Sequence, residues 1–168
     1  GASGGVGMAG IDIAKDLGAT IIAVVSTSEK SKACKEMGAL HFINYTYEDL
    51  KYRLKELTNN KGVNVVLDNV GGSASEQALR ACSRLGRFCV IGFAAGDIPK
   101  IALNLVLLKE CSIHGVFWGG QFLTNDPIRF YENNCTIIKK VNSLYIIYKS
   151  VTTPFSAPDI LLMSLIPK

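Results

Sequence analysis

The chain has 168 residues, 48% of them hydrophobic and 19% charged, with a net charge of +4. That suffices for one domain with its own core, but the charge is mild and unclustered, and no basic–aromatic interleaving points to nucleic acid. The longest apolar runs, such as 160–166 with Ser164 inside it, fall short of the ~20 residues that cross a bilayer, and the five cysteines are widely spaced without a Cys-x-x-Cys pair, which excludes a disulfide framework or a zinc-ligand spacing.

Residues 1–7 read Gly-Ala-Ser-Gly-Gly-Val-Gly. Glycines at 1, 4, 5 and 7 suit a turn whose backbone N–H groups face a phosphate at a helix N-terminus. The helix follows: Val6, Ala9, Ile13, Ala14 and Leu17 recur at three- and four-residue spacing, and Gly18 stops it. In a dinucleotide-binding fingerprint a strand feeds this turn. No residue precedes Gly1, so the chain reads as a fragment that lacks this strand. Loss of a central strand would expose two inner sheet edges.

Residues 19–25 form a continuous β-branched run, the mark of a parallel strand buried on both faces. A helix is expected over 29–37, ended by Gly38, then a short strand at 40–43. Residues 47–58 read as a helix with Leu50, Leu54 and Leu57 on one face, and 63–67 as a strand ending in Asp68-Asn69-Val70-Gly71-Gly72. Residues 74–85 read as a helix closed by Gly86, 87–91 as a strand, 103–108 as a short helix and 111–118 as a last strand. This alternation predicts an α/β fold, a Rossmann-like doubly wound parallel sheet without its first strand. Past Gly120 the rhythm stops. Residues 121–168 contain no glycine, and periodicity does not settle 137–148.

In such sheets ligands lie beyond the carboxyl ends of the strands. The places to look are therefore 1–7, 26–30, 68–72, 92–95 and 117–119. At the end of the second strand of the fold an NAD site carries an acid for the ribose. Here that place is Ser26, with Thr27, Ser28, Lys30 and Lys32 nearby and Glu29 as the lone acid. Hydroxyls and a lysine suit a 2′-phosphate, so NADP(H) is expected over NAD(H). Ser28 and Glu29 also make a sound helix start whatever binds.

These stretches, with Met-Gly-Ala-Leu-His-Phe-Ile-Asn-Tyr at 37–45, Leu-Asp-Asn-Val-Gly-Gly at 67–72, Val-Ile-Gly-Phe-Ala-Ala-Gly at 90–96 and the segment 103–119, resemble the zinc-free, zeta-crystallin-like quinone oxidoreductases of the medium-chain dehydrogenase/reductase superfamily. The resemblance covers residues 1 to about 130. It implies that Ser3, Gly4, Gly5, Val6 and Gly7 bind the pyrophosphate, and that Ser26 and Lys30, with Tyr45 nearby, bind the 2′-phosphate. It places Asn69, Gly92, Phe93, Phe117 and Trp118 by the adenosine and nicotinamide. The family passes hydride from NADPH to quinones or other activated carbonyl or alkene acceptors, so the partner implied is a small-molecule electron acceptor, with no catalytic metal. No catalytic side chain is assigned. The resemblance also implies a homodimer formed by pairing the edge strand that runs from Cys111 to Phe117, unless the tail covers it.

The family's N-terminal barrel-like domain and its usual ending are missing, and 131–168 reads as a divergent tail. The rival expectation is a non-catalytic remnant that binds NADPH or pairs with longer family members. Tyr47 and Lys51 match a short-chain dehydrogenase Tyr-x-x-x-Lys pair by letter, but come too soon after the glycines and read as an exposed helix face. His41 and His114 lack the Ser or Cys and acid neighbours of a hydrolase. A cytoplasmic location is expected, or a mitochondrial one if a targeting segment was lost.

Overall fold

The computed structural model describes residues 1–117 and 160–163. In chain order the elements are α1 (Gly5–Asp16), β1 (Thr20–Val25), α2 (Ser28–Met37), β2 (His41–Asn44), α3 (Leu50–Leu57) and β3 (Val63–Asp68). They continue with α4 (Ala74–Ala81), β4 (Cys82–Val90), α5 (Asn104–Lys109), β5 (Ser112–Gly115) and β6 (Ile160–Met163).

Every strand pairs in parallel, in one sheet of order β2-β1-β6-β3-β4-β5. The side-chain period of two sends alternate residues of β1 to opposite faces. Ile21, Ala23 and Val25 join Ile11 and Ala14 of α1 and Cys34 of α2 in one core cluster. Ile22 and Val24 join Leu50 and Leu54 of α3, Ala78 and Leu79 of α4 and Leu105 of α5 in the other. This is why β1 is apolar at every position after Thr20 rather than at every second one. Phe88, Ile11, Ile22 and Ile43 are among the largest fully buried side chains, each contributing about 1.5–3 kcal/mol.

The sheet corrects one expectation outright. A dinucleotide-binding sheet, numbered from its own first strand, runs 3-2-1-4-5-6. Here the place of that first strand is taken by β6, from the stretch read as a divergent tail. Ile160 to Met163 pair with Thr20 to Ala23 on one side, and Leu161 to Met163 with Val65 to Leu67 on the other. The inner edges of β1 and β3 are thus paired rather than exposed. The first four residues of the run 160–166 form this central strand.

Smaller differences have local causes. α3 starts at Leu50 because Asp49 caps it, its carboxylate accepting from Tyr52 N at 2.7 Å. The preceding residues close a turn around Asn44, whose Oδ1 accepts from Thr46 N at 3.0 Å and whose own N–H donates to Glu48 Oε2 at 2.6 Å. Tyr47 lies in this turn, so it is not on the same helix face as Lys51. α4 ends at Ala81 rather than at 85. Cys82 already pairs with Val63, and the register then shifts before Val65 meets Arg87. The extra residues bulge, with Leu85 at φ 60°.

Candidate functional site

Because all strands are parallel, their carboxyl ends share one edge of the sheet. Ser26 follows β1, Tyr45 follows β2, Asn69 follows β3, Gly92 and Phe93 follow β4, and Phe117 lies just beyond β5. The glycine turn stands above β6. A side-chain carbon built on Gly1 would lie 2.2 Å from Asn69 Oδ1 and 2.8 Å from Val70 Cγ2, so Gly1 sits against the end of β3. Ala2 is buried in the same cluster as Ala23, Val25, Val65 and Leu67. β6 and then Gly1–Ala2 therefore occupy the central track of the sheet in succession.

The turn closes tightly. Gly4 N donates to Gly1 O at 3.1 Å, and Met8 N to Gly4 O at 2.8 Å. A Cβ at Gly7 would stand 2.2 Å from Gly1 O and 2.4 Å from Ala2 O, so α1 can approach the turn there without a side chain and not with one. Gly5 differs: nothing lies within 4 Å of its would-be Cβ. α1 begins with Gly4 as N-cap, no side-chain cap and no acid in its first turn. With open space at Gly5 and no acid in the first turn, its N-terminal N–H groups and dipole suit an anion. Ser3 is half-buried there, and Val6 is exposed.

Beyond β1 the roles of neighbouring hydroxyls separate. The N-cap of α2 is Thr27, one residue before the expected Ser28, and its Oγ1 accepts from Lys30 N at 3.3 Å. The Glu29 carboxylate is held below the usual range by its own backbone N–H and by the Thr27 hydroxyl, so the lone acid belongs to the helix start. Ser26 is not part of this cap. Its Oγ accepts from Lys30 Nζ at 2.8 Å. Tyr45 N donates to Val25 O at 3.1 Å, which brings the start of the loop after β2 beside Ser26.

The far wall is organised by a residue that sequence reasoning passed over. Asp68, 3% exposed at the end of β3, accepts from Val70 N at 3.0 Å and Gly71 N at 2.9 Å, and its other oxygen from Ser75 Oγ at 2.6 Å. This folds the loop back, with Gly71 and Gly72 at φ 73° and 70°, values that glycine adopts without cost. Asn69 then points its amide at Gly1 O, 3.5 Å away. Main-chain bonds from Ile91 N and Gly92 N to Asp68 O, and from Ala95 N to Val70 O, join the loop after β4 to the same wall. The Phe93 ring packs on Gly71 and is 42% exposed. A short aspartate at a strand end before Asn-Val-Gly-Gly, with no basic neighbour in the sequence, was the available signal. Phe117 is 73% exposed, and Trp118 lies outside the described residues.

His114, half-buried on β5, shares a hydrogen bond through Nε2 with Ser112 Oγ at 2.8 Å. Among the described residues no group of three or more His, Cys, Asp or Glu could hold a metal ion. Cys34, Cys82, Cys89 and Cys111 are buried free thiols, and burial pushes Cys82 up to about 12 and Cys89 up to about 11.

A doubly wound parallel sheet with a glycine turn over its central strand defines a dinucleotide-binding Rossmann-like domain. The comparisons agree and go further. Residues 5–132 match the model of the zinc-binding dehydrogenase family, and the chain belongs to that family. It is 38% identical over 120 residues to a quinone oxidoreductase-like protein 2 homolog of Nematostella vectensis, covering 71% of this chain and 33% of that protein. It is 40% identical over 128 residues to quinone oxidoreductase-like protein 2 of Bos taurus, covering 76% and 37%. The structure of Escherichia coli quinone oxidoreductase complexed with NADPH aligns with a TM-score of 0.62 at 37% identity, over 67% of this chain and 35% of that one. The chain thus spans about a third of the length of the curated relatives it matches. These relatives place it within the medium-chain dehydrogenase/reductase superfamily.

Proposed function

We propose that the chain is the cofactor-binding part of an NADPH-dependent, zinc-free oxidoreductase of the quinone reductase type. The observation that carries the cofactor choice is the Ser26–Lys30 pair, a hydroxyl and an ammonium 2.8 Å apart beyond the second strand of the fold, where a carboxylate would select NAD(H). Lys30 and Ser26 clasp the 2′-phosphate by charge-assisted hydrogen bonds, with Tyr45 closing the side. Ser3, Gly4, Gly5, Val6 and Gly7 offer backbone N–H groups to the pyrophosphate. Asn69, Gly92, Phe93, Phe117 and Trp118 line the run from adenosine to nicotinamide. When bound, the nicotinamide supplies hydride chemistry to a quinone or another activated carbonyl or alkene. The protein's part is to orient it and keep water from one face. The NADPH bound by the Escherichia coli relative supports this reading. Two copies pair through β5, one of the two edge strands of the sheet.

Quinone-dependent loss of NADPH absorbance by the purified chain tests the enzymatic half of this proposal. Turnover with NADPH well above that with NADH is expected. Binding without turnover would leave the cofactor role standing and reduce the chain to a non-catalytic NADPH-binding unit.

A further inference from the structure

At the edge of the sheet opposite the glycine turn, the amino ends of β3, β4 and β5 meet the last turns of α3, α4 and α5 around a cavity of about 400 Å³. Its wall carries Lys51, Lys55, Lys61, Arg80, Arg84 and Lys109, with Glu110 as the lone acid. These cations come from three separate stretches of the sequence, 51–61, 80–84 and 109, so only the fold assembles them.

The loop before β3 is shaped to bring Lys61 to the cavity. Asn59 and Asn60 take left-handed φ values of 49° and 62°. Thr58 Oγ1 accepts from Gly62 N at 3.1 Å and donates to Leu54 O at 2.6 Å. A Cβ at Gly62 would lie 2.7 Å from Ala81 O and 2.8 Å from Ser83 N, so glycine lets the loop seat against the start of β4. Lys109 is anchored from the other side, its Nζ donating to Cys82 O at 2.8 Å.

Helix stability explains only part of this charge. Each helix C-terminus carries roughly half a negative charge, and Lys55, Arg80 and Lys109 stand in the last turns where they meet it. Arg80 also pairs with Glu76, and Arg84 with Glu110. Three helix ends and two carboxylates together fall short of six cations. Lys51 and Lys61 make no ion pair among the described residues. Lys51 stands in the first turn of α3, where the dipole disfavours a cation, and four residues before Lys55, a spacing at which like charges destabilise a helix. Such breaches of local stability are characteristic of functional sites.

We propose that this cavity binds a compact polyanion, a small molecule that carries two or more phosphate groups. The lysines hold it by charge-assisted hydrogen bonds. Its volume is that of a small-molecule site. Among the described residues no aromatic side chain lines it, so it offers no stacking platform for a base. That separates its ligand from a dinucleotide and from single-stranded nucleic acid. The site lies across the sheet from Ser26 and Lys30 and does not rest on the cofactor reading.

Calorimetric titration of the whole chain with inorganic triphosphate, at about 0.15 M salt, tests the proposal. Saturable binding is expected, with sulfate far weaker. In a Lys51→Ala/Lys61→Ala double variant the affinity falls at least about tenfold, while the melting temperature holds because both side chains are exposed. The same variant binds NADPH as the parent does, and Lys30→Ala binds triphosphate as the parent does. Absence of saturable binding overturns the proposal. So does a double variant that keeps the parent's affinity; if Lys30→Ala then loses it, the triphosphate sits at the glycine turn instead. Equal affinity for sulfate also overturns it, and would make these cations an ordinary solvated surface.

Discussion

Lys30 Nζ donates to Ser26 Oγ at 2.8 Å across one turn of chain, while Thr27 between them caps α2. The cap and the ligand candidates are thus different residues, and they can be separated by mutation. Lys30→Ala leaves the cap in place and removes one charge-assisted contact. Such contacts contribute about 1.5–3 kcal/mol, so NADPH affinity falls roughly ten- to hundredfold while NADH affinity is unchanged in a titration. Equal loss of both would remove the 2′-phosphate role from Lys30.

Two glycines of the turn respond differently to one methyl group. Gly7→Ala forces a Cβ into Gly1 O and Ala2 O, overpacking that costs typically about 1–3 kcal/mol. Gly5→Ala meets open space and gains helix propensity, so its melting temperature holds or rises. Its Cβ enters the space assigned to the pyrophosphate, and NADPH binding weakens. Thermal melts paired with titrations read both effects; a Gly5→Ala variant that binds as the parent does would contradict the assigned position of the pyrophosphate.

Ser75→Ala leaves one oxygen of buried Asp68 without its 2.6 Å donor. A hydrogen bond to a charged group contributes about 1.5–3 kcal/mol, and its loss is to be read as a drop in denaturation midpoint with unchanged slope. NADPH affinity should fall as well, because the Asp68 carboxylate shapes the loop that carries Asn69. No change in either quantity would show that the Val70 and Gly71 N–H groups hold the loop without Ser75.

The buried thiols give a pH signature. Desolvation raises Cys82 to about 12 and Cys89 to about 11, from the ordinary 9.0. Below pH 9 both are protonated in the folded and the unfolded chain, and their contribution to stability is fully present. Above pH 9 the unfolded chain loses these protons first and is favoured, so stability declines between about 9 and 12. Denaturant titrations across that range should show the midpoint falling, and Cys82→Ala should flatten part of the slope. Both thiols should also resist alkylation until the chain unfolds, since the thiolate is the reactive form.

Much of this fold was legible because it is written locally. The helix over Gly5–Asp16, the run in β1 and the stops at Gly18 and Gly38 each depend on residues within a few positions of one another. So do the strand ends where Ser26, Tyr45, Asn69 and Gly92 stand. What could not be read is the place of β6. Parallel pairing joins Ile160 to Thr20 across most of the chain, and no local pattern says which strands become neighbours. The Asp68–Ser75 bond was hidden for a related reason: α4 must fold back before Ser75 reaches the end of β3. Capping by Thr27 instead of Ser28 is a one-residue choice that propensity does not settle, because both hydroxyls are good caps.

The central claim is that the edge formed by the glycine turn, Ser26 and Lys30 binds a phosphorylated dinucleotide. Titration of the purified chain with NADPH and with NADH, followed by cofactor fluorescence, tests it most directly. Saturable one-to-one binding with a marked preference for NADPH is the expected result. Binding of neither cofactor by folded protein, or a preference for NADH, would contradict it.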